Sequence, residues 1–364
     1  MSILVISSAN DQHATLAYFV LCERGYQVSF WCPSDIPVFD QASIYIENST
    51  IKLHSGRRQL KPYKTILFRK YAKPQPPDGL HPTDRLIAER EFGHFFDGFL
   101  DAIPKDTFWA NQPISLLTSN KVSQLRAAID VGLKIPPTLI SCDSRDIREF
   151  VASARGRGVI LKSFAPALWE NSHGGKVAAM TAEVNKEVLA NDIALTSSPA
   201  IYQHLIPKSY EIRVTIFGSH ATFVKLDSQH DDISSLDWRM GGSDLPIEPM
   251  APDERLREAC ARVMERLNLA FGCFDFIVDK EGQTVFLEVN PAGQFLWMEE
   301  LNPDIRLLAP FCEFLVGGAF LFTPTGKLGF PSLIDVADSQ ELREFETAFE
   351  QAHVSQSSSF VYQE

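Results

Sequence analysis

With 364 residues the chain has length for two or three sizeable cores, and 45% hydrophobic with 22% charged residues is an ordinary globular composition. A net charge of −12 excludes general nucleic-acid or anionic-membrane binding. No apolar run approaches the roughly 20 residues a bilayer span needs. The opening MSILVISSAN lacks a basic segment ahead of an apolar one and reads as a first strand, not a signal. Six cysteines are scattered without a C-x-x-C pair, which fits reduced core thiols and a soluble cytoplasmic protein.

In chain order, Ile3–Ser7 is a buried-strand run, Thr15–Arg24 is helical, Gly25 ends the helix and Gln27–Trp31 is a second strand. This β-α-β opening predicts a small α/β domain with a parallel sheet. The turn SSANDQH carries no glycine, so it is not a dinucleotide fingerprint. Thr65–Phe68 is a strand that runs into Arg69-Lys70, by default a solvated basic pair, and helical spacing resumes at Ile87–Leu100. TFWANQP makes an extended link, after which Thr118 and Ser119 are N-cap candidates for a helix over Lys121–Val131. Ile147–Ala154 is a further helix and Val159–Ser163 a strand carrying Lys162. A loop over Phe164–Lys176 contains Gly174-Gly175, and strands follow at Ala200–Leu205, Glu211–Phe217 and Ala221–Leu226. Asp237–Gly242 is a polar loop, Pro252 opens an amphipathic helix, and Ile305, Leu308, Cys312 and Leu315 mark a last core helix. From Asp338 a charged helical tail leads to a frayed end, SQSSSFVYQE.

The most informative stretch is FGCFDFIVDKEGQTVFLEVNPAGQF, residues 271–295. It reads as strands Cys273–Val278 and Thr284–Val289 around a turn at Asp279–Gly282. Glu288 and Asn290, two apart, point the same way, and pairing that sets Asp275 opposite them gathers three hard oxygen donors. Such a set suits Mg²⁺, which takes one or two carboxylates and leaves positions for water and phosphate. Lys162, ending an apolar strand, is taken alone an exposed edge residue. Walker, kinase, G-x-S-x-G and H-E-x-x-H motifs are all absent.

Lys121, Lys162, the glycine loop, Tyr202–Ile206, Tyr210–Arg213 and D-F-I…L-E-V-N-P-A-G succeed one another in an order that resembles the ATP-grasp ligases. The resemblance covers roughly Thr118 to Leu315. It implies that Lys121 and Lys162 contact ATP phosphates, that Gly174-Gly175 form a lid, and that Gln203, His204 and Leu205 meet adenine. It also implies that Asp275, Glu288 and Asn290 carry Mg²⁺ and that Arg213 steadies the γ-phosphate and an acyl phosphate. The succession DQHATLAYFVLCERGYQV, ILFRKY, FWANQP, SNKVSQLRAAIDVGLKIPPTLIS, with D-W-R at Asp237–Arg239 and LEVNPAGQFLWMEE, looks like the graspetide maturases, the microviridin-type peptide macrocyclases. Arg239 with Gly241-Gly242 also resembles a segment of the ribosomal-protein glutamate ligases.

The implied fold is α/β and α+β, an ATP-grasp fold with a pre-grasp α/β domain over 1–110. A central lid domain over 111–199, a C-terminal ATP-grasp domain over 200–330 and a tail over 331–364 complete it. The implied function is ATP-dependent activation of Asp or Glu side chains of a ribosomal precursor peptide, leader plus core, with ester or amide ring closure. A glutamate or amino-acid ligase, and a catalytically silent peptide-binding protein, are the alternatives. Arg213 and Arg239 are the expected catalytic cations, no nucleic acid or membrane partner is expected, and a homodimer is kept open.

Overall fold

A computed structural model describes residues 2–48, 50–55, 58–164, 168–170, 176–178, 181–231 and 234–353. The apolar run at the start becomes the strand Ser2–Ile6, buried because it sits inside a parallel sheet ordered Gln27–Trp31, Ser2–Ile6, Thr65–Phe68, Phe108–Ala110. The connecting helix is Gln12–Glu23, earlier than its apolar spacing suggests because the Asp11 carboxylate accepts the His13 N–H as N-cap. Gly25, at φ 76°, ends it. Between the second and third of these strands in sequence lies an antiparallel meander, Ala42–Glu47, Thr50–Ser55 and Arg58–Gln59, of which the first two strands are half exposed and give little periodic signal. Helix Pro82–Asp101 buries Phe96 and Phe99 in the core cluster beneath the parallel sheet.

The next segment forms a four-stranded antiparallel sheet, ordered Ala182–Glu183, Val159–Lys162, Ala200–His204, Thr138–Ser141. Helix Ser144–Ser153 packs on it through Ile147 and Phe150. The helix before it, Lys121–Asp130, is capped by Asn120, which accepts from the Val122 and Ser123 N–H groups. Neither Thr118 nor Ser119 serves as the cap; Asn120 stands in the extended conformation that aims a side-chain oxygen at the first turn.

The third sheet is five-stranded, antiparallel and ordered Ile247–Met250, His220–Leu226, Lys208–Phe217, Phe271–Asp279, Thr284–Asn290. Its central strands alternate as a half-buried sheet should. Ile212, Val214, Ile216, Phe274, Phe276 and Phe286 pack with Leu256, Cys260, Val263 and Leu267 of helix Glu254–Leu267. Each fully buried aromatic or aliphatic side chain here contributes about 1.5–3 kcal/mol of transfer free energy. Helix Leu308–Gly317 joins this sheet to the first one, for Phe311 and Phe314 share a core cluster with Val5, Leu67 and Phe217. Among the described residues no helix is long and apolar enough to cross a membrane.

Candidate active site

The opposite faces of the two antiparallel sheets enclose a cavity of about 630 Å³. From the four-stranded sheet come Lys162, Ile201 and Gln203; from the five-stranded sheet come Glu211, Arg213, Asp275, Glu288 and Asn290. Period-two alternation puts Glu211 and Arg213 on the cavity face while Ile212 and Val214 go to the core. Asp275 lies directly across from Arg213 on one side and from Glu288 on the other. A register shift follows that pair, since Phe276 faces Phe286 and Leu287 is the extra residue. This bulge is what allows Phe286 to face the core while Glu288, only two residues on, faces the cavity.

The cavity floor is a set of paired charges. Arg213 donates to Asp275 Oδ2 at 2.6 Å and to the Gln294 carbonyl at 2.9 Å. Lys121 Nζ donates to Glu288 Oε2 at 2.6 Å. Burial opposes the Glu288 charge, but Lys121 and Lys162 outweigh it and hold the carboxyl well below its ordinary range. Burial pushes the Asp275 carboxyl up to about 6, because Arg213 only partly offsets it and Glu288 adds repulsion. Lys162 is not an exposed edge residue: it lines the cavity, and burial lowers its ammonium while Glu288 works the other way.

Asn290 completes the cluster. Its amide nitrogen lies 3.3 Å from Glu288 Oε1 and 3.5 Å from Asp275 Oδ2, and its buried Oδ1 has no hydrogen-bond partner among the described residues. Two carboxylates flank the Asn290 amide, and with that amide turned over so that Oδ1 faces them the three groups fit a hard divalent cation, which would compete with Lys121 and Arg213 for the two carboxylates.

At the other end of the cavity Gln203 donates to Thr138 Oγ1 at 3.0 Å, and its buried Oε1 has no partner among the described residues. The backbone donors beside it are spent, since His204 N–H goes to the Pro137 carbonyl and Leu205 N–H to that of Gly158. The His204 imidazole turns to the far face of the strand, against Phe150 and within 3.2 Å of Ser153 Oγ. Gly174 and Gly175 lie outside the described residues.

Asp237-Trp238-Arg239 forms one wall and is not a plain surface turn. Arg239 donates to both oxygens of Asp237, at 2.8 and 2.6 Å, and Trp238 stacks on Trp297 with ring centres 4.7 Å apart. The Arg213 guanidinium sits 5.8 Å from the Trp238 ring centre. Lys208 and Glu211 form another buried ion pair at 2.6 Å on this wall. The spacing of Glu211 two residues before Arg213 is a signal that could have added it to the candidate set.

Side chains from the parallel sheet's strand ends and its first helix reach the loop after the hairpin, which sequence reasoning missed. Arg69 is 1% exposed, so the solvated reading fails; it pairs with Asp11 at 2.5 Å and points a further donor at the Gly293 carbonyl, 3.4 Å away. His13 Nε2 accepts the N–H groups of Phe295 and Leu296 at 2.8 and 3.0 Å. Asn111 donates to the carbonyls of Phe271 and Pro291 and accepts from the N–H groups of Ala270 and Phe271. These residues lie 159 to 283 positions from their partners in the hairpin and its loop, so no local pattern announces them.

No family model matches the chain, and no curated protein matches its sequence. Solved structures do match. An ATP-grasp ligase from Chryseobacterium gregarium, associated with a ribosomally made peptide and complexed with ADP and a leader and core peptide, superimposes with a TM-score of 0.78 at 21% identity. That alignment covers 87% of this chain and 97% of the other. The macrocyclase MdnC of Microcystis aeruginosa MRC, bound to precursor peptide MdnA, gives 0.76 at 22% identity, covering 87% and 100%. The macrocyclase MdnB of the same organism gives 0.70 at 24%, covering 86% and 99%. This chain therefore has the ATP-grasp fold, with the α/β domain at its N-terminal end.

Proposed function

We propose that this protein is an ATP- and Mg²⁺-dependent ligase that activates Asp or Glu side chains of a precursor peptide and closes them onto hydroxyls or amines of the same peptide. The observation that carries the reading is the convergence of Asp275, Glu288, Asn290, Lys121, Lys162 and Arg213 at one end of a cavity whose other end offers Gln203 Oε1. The similar structures that hold ADP with leader and core peptide support the same assignment. The division into 1–110, 111–199, 200–330 and 331–364 is part of this reading.

A carboxylate is a poor electrophile. In the proposed reaction a peptide carboxylate oxygen takes the γ-phosphoryl group of ATP, giving an acyl phosphate and ADP. A hydroxyl or amine of the same peptide then attacks the carbonyl carbon, and the carbon–oxygen bond to phosphate breaks. Each ring thus consumes one ATP, and the peptide loses the elements of one water, whose oxygen leaves in phosphate. Gln203 Oε1 accepts from the adenine amino group. Lys121 and Lys162 neutralise phosphate oxygens, and Asp275, Glu288 and Asn290 would hold a Mg²⁺ ion that would supply electrophilic stabilisation of the phosphoryl group. Arg213, fixed between Asp275 and the Gln294 carbonyl, and Arg239, fixed by Asp237, stabilise charge that grows on the transferring oxygens and the tetrahedral carbon. Because these dipoles are already held by hydrogen bonds, little reorganisation is needed at the moment of reaction.

Incubating the protein with ATP, Mg²⁺ and a candidate precursor peptide, short and rich in Asp, Glu, Ser, Thr and Lys, then reading intact peptide mass, tests the proposal. The expected product has lost one or more waters, and Glu288→Gln is expected to remain folded while losing most of this activity. A peptide that gains an amino-acid mass would instead favour the glutamate-ligase alternative. Unchanged peptide with no ATP turnover would favour a silent binding protein.

A further inference from the structure

Far from the cavity, the end of the C-terminal helix meets the turn after the second strand of the parallel sheet. Helix Gln340–Gln351 lies on the sheet through aromatic contacts of Phe345 and Phe349 with Tyr18, Phe19 and Phe30. Two residues past its end, His353 Nδ1 lies 2.5 Å from Asp35 Oδ2. Cys32 joins them, and one ligand atom of each of the three lies within 4.8 Å of both others. Cys32 and Asp35 are 2% and 5% exposed, while His353 is partly open to solvent.

From this geometry we infer a second, transition-metal site, in which Cys32 Sγ, Asp35 and His353 bind one zinc ion and water fills the remaining position. Several observations converge on it. Thiolate, imidazole and carboxylate are the donor set zinc takes, and they are unlike the all-oxygen cluster at Asp275, Glu288 and Asn290. Cys32 and Asp35 are three apart on the single turn Pro33–Asp35, and the Asp35 carbonyl is held by the N–H groups of Phe39 and Asp40, so two donors are preset before the third arrives. Ser34 Oγ lies 3.1 Å from Cys32 Sγ, where its hydroxyl can donate to a thiolate, the usual outer support of a ligating sulfur. A divalent ion with one thiolate and one carboxylate forms a neutral unit, which suits a buried turn.

Seating is a small movement. Ligand atoms on a tetrahedral zinc stand about 3.3–3.6 Å apart, so the ion requires the 2.5 Å His353–Asp35 contact to open by about 1 Å. The partly open face at His353 provides the entry path. The consequence is structural: the ion ties residue 353 to residue 32 and so fastens the C-terminal helix to the parallel sheet. Binding displaces the protons of the thiol and of the imidazole, with no redox change and no other co-reactant.

The test uses the full chain, stripped with chelator and titrated with Co²⁺, then back-titrated with Zn²⁺. One equivalent of Co²⁺ is expected to give a thiolate charge-transfer band that Zn²⁺ abolishes, and Zn²⁺ is expected to raise the melting temperature. The band is expected to persist in Glu288→Gln, which spoils only the hairpin cluster, and to vanish in Cys32→Ser. His353→Gln, at a helix end where folding is least at risk, is expected to weaken Co²⁺ binding by about tenfold or more, since even outer-shell partners cost that much. Absence of the band in the unaltered protein, its survival in Cys32→Ser, or unchanged affinity in His353→Gln would overturn the site.

Discussion

His13 is a buried imidazole whose protonation state is dictated by its partners. Both hydrogen bonds to Nε2 come from backbone N–H groups, so Nε2 must carry a lone pair and the ring must be neutral. Burial, then the Arg69 charge beside it, hold its pKa well below 6.5. A base depressed in the fold contributes stability that is fully present above its unfolded pKa near 6.5 and is lost as pH falls through that value toward the folded pKa. Each pH unit in that window costs up to about 1.4 kcal/mol, so the protein should lose stability between pH 6.5 and 5 through this residue. His13→Gln keeps an acceptor for the two N–H groups and cannot titrate. Chemical denaturation at the two pH values should show that loss in the unaltered protein and a much flatter response in the variant. Equal losses in both would remove His13 from the account.

At the level of elements, the hairpin and the loop that follows it are held from three directions. Asn111 is itself in the left-handed region, at φ 67°, and its one side chain satisfies four buried backbone groups on either side of the strand Phe271–Asp279 and the loop at Pro291. Asn111→Ala leaves those groups unpaired and is expected to cost about 3 kcal/mol or more in urea unfolding. A loss under about 1 kcal/mol would mean that the loop is held elsewhere. Gly293 shows how tight the packing is, for a Cβ there would stand 2.7 Å from Cys273 Cβ and 2.9 Å from its sulfur.

These elements also show what the sequence discloses. Asp275, Glu288 and Asn290 are legible because a polar residue interrupting an apolar strand stands out and period two fixes its face. The bulge at Leu287, which decides that Phe286 and Glu288 part company, has no glycine or proline to mark it. Arg69 reads as a surface cation because a lone arginine after a strand usually is one; only the distant Asp11 makes burial tolerable. The meander strands Ala42–Glu47 and Thr50–Ser55 lack the buried alternation that would have revealed them. Lys121, Lys162 and Gln203 gained meaning only through their order along the chain, since each alone is compatible with an ordinary surface or sheet position.

Across the whole molecule, three sheets meet around one chemical task. The parallel sheet and its first helix, through Arg69, Asn111 and His13, fix the loop whose Gln294 carbonyl orients Arg213. The five-stranded sheet supplies the acidic cluster, and the four-stranded sheet supplies Lys162 and Gln203 across the cavity. The central claim is that a peptide carboxylate becomes an acyl phosphate in this cavity before ring closure. Labelling the Asp and Glu side-chain oxygens of the precursor with ¹⁸O and analysing the phosphate released during turnover tests it directly. The account predicts that one labelled oxygen passes to phosphate for each ring closed. Rings formed with unlabelled phosphate would contradict it.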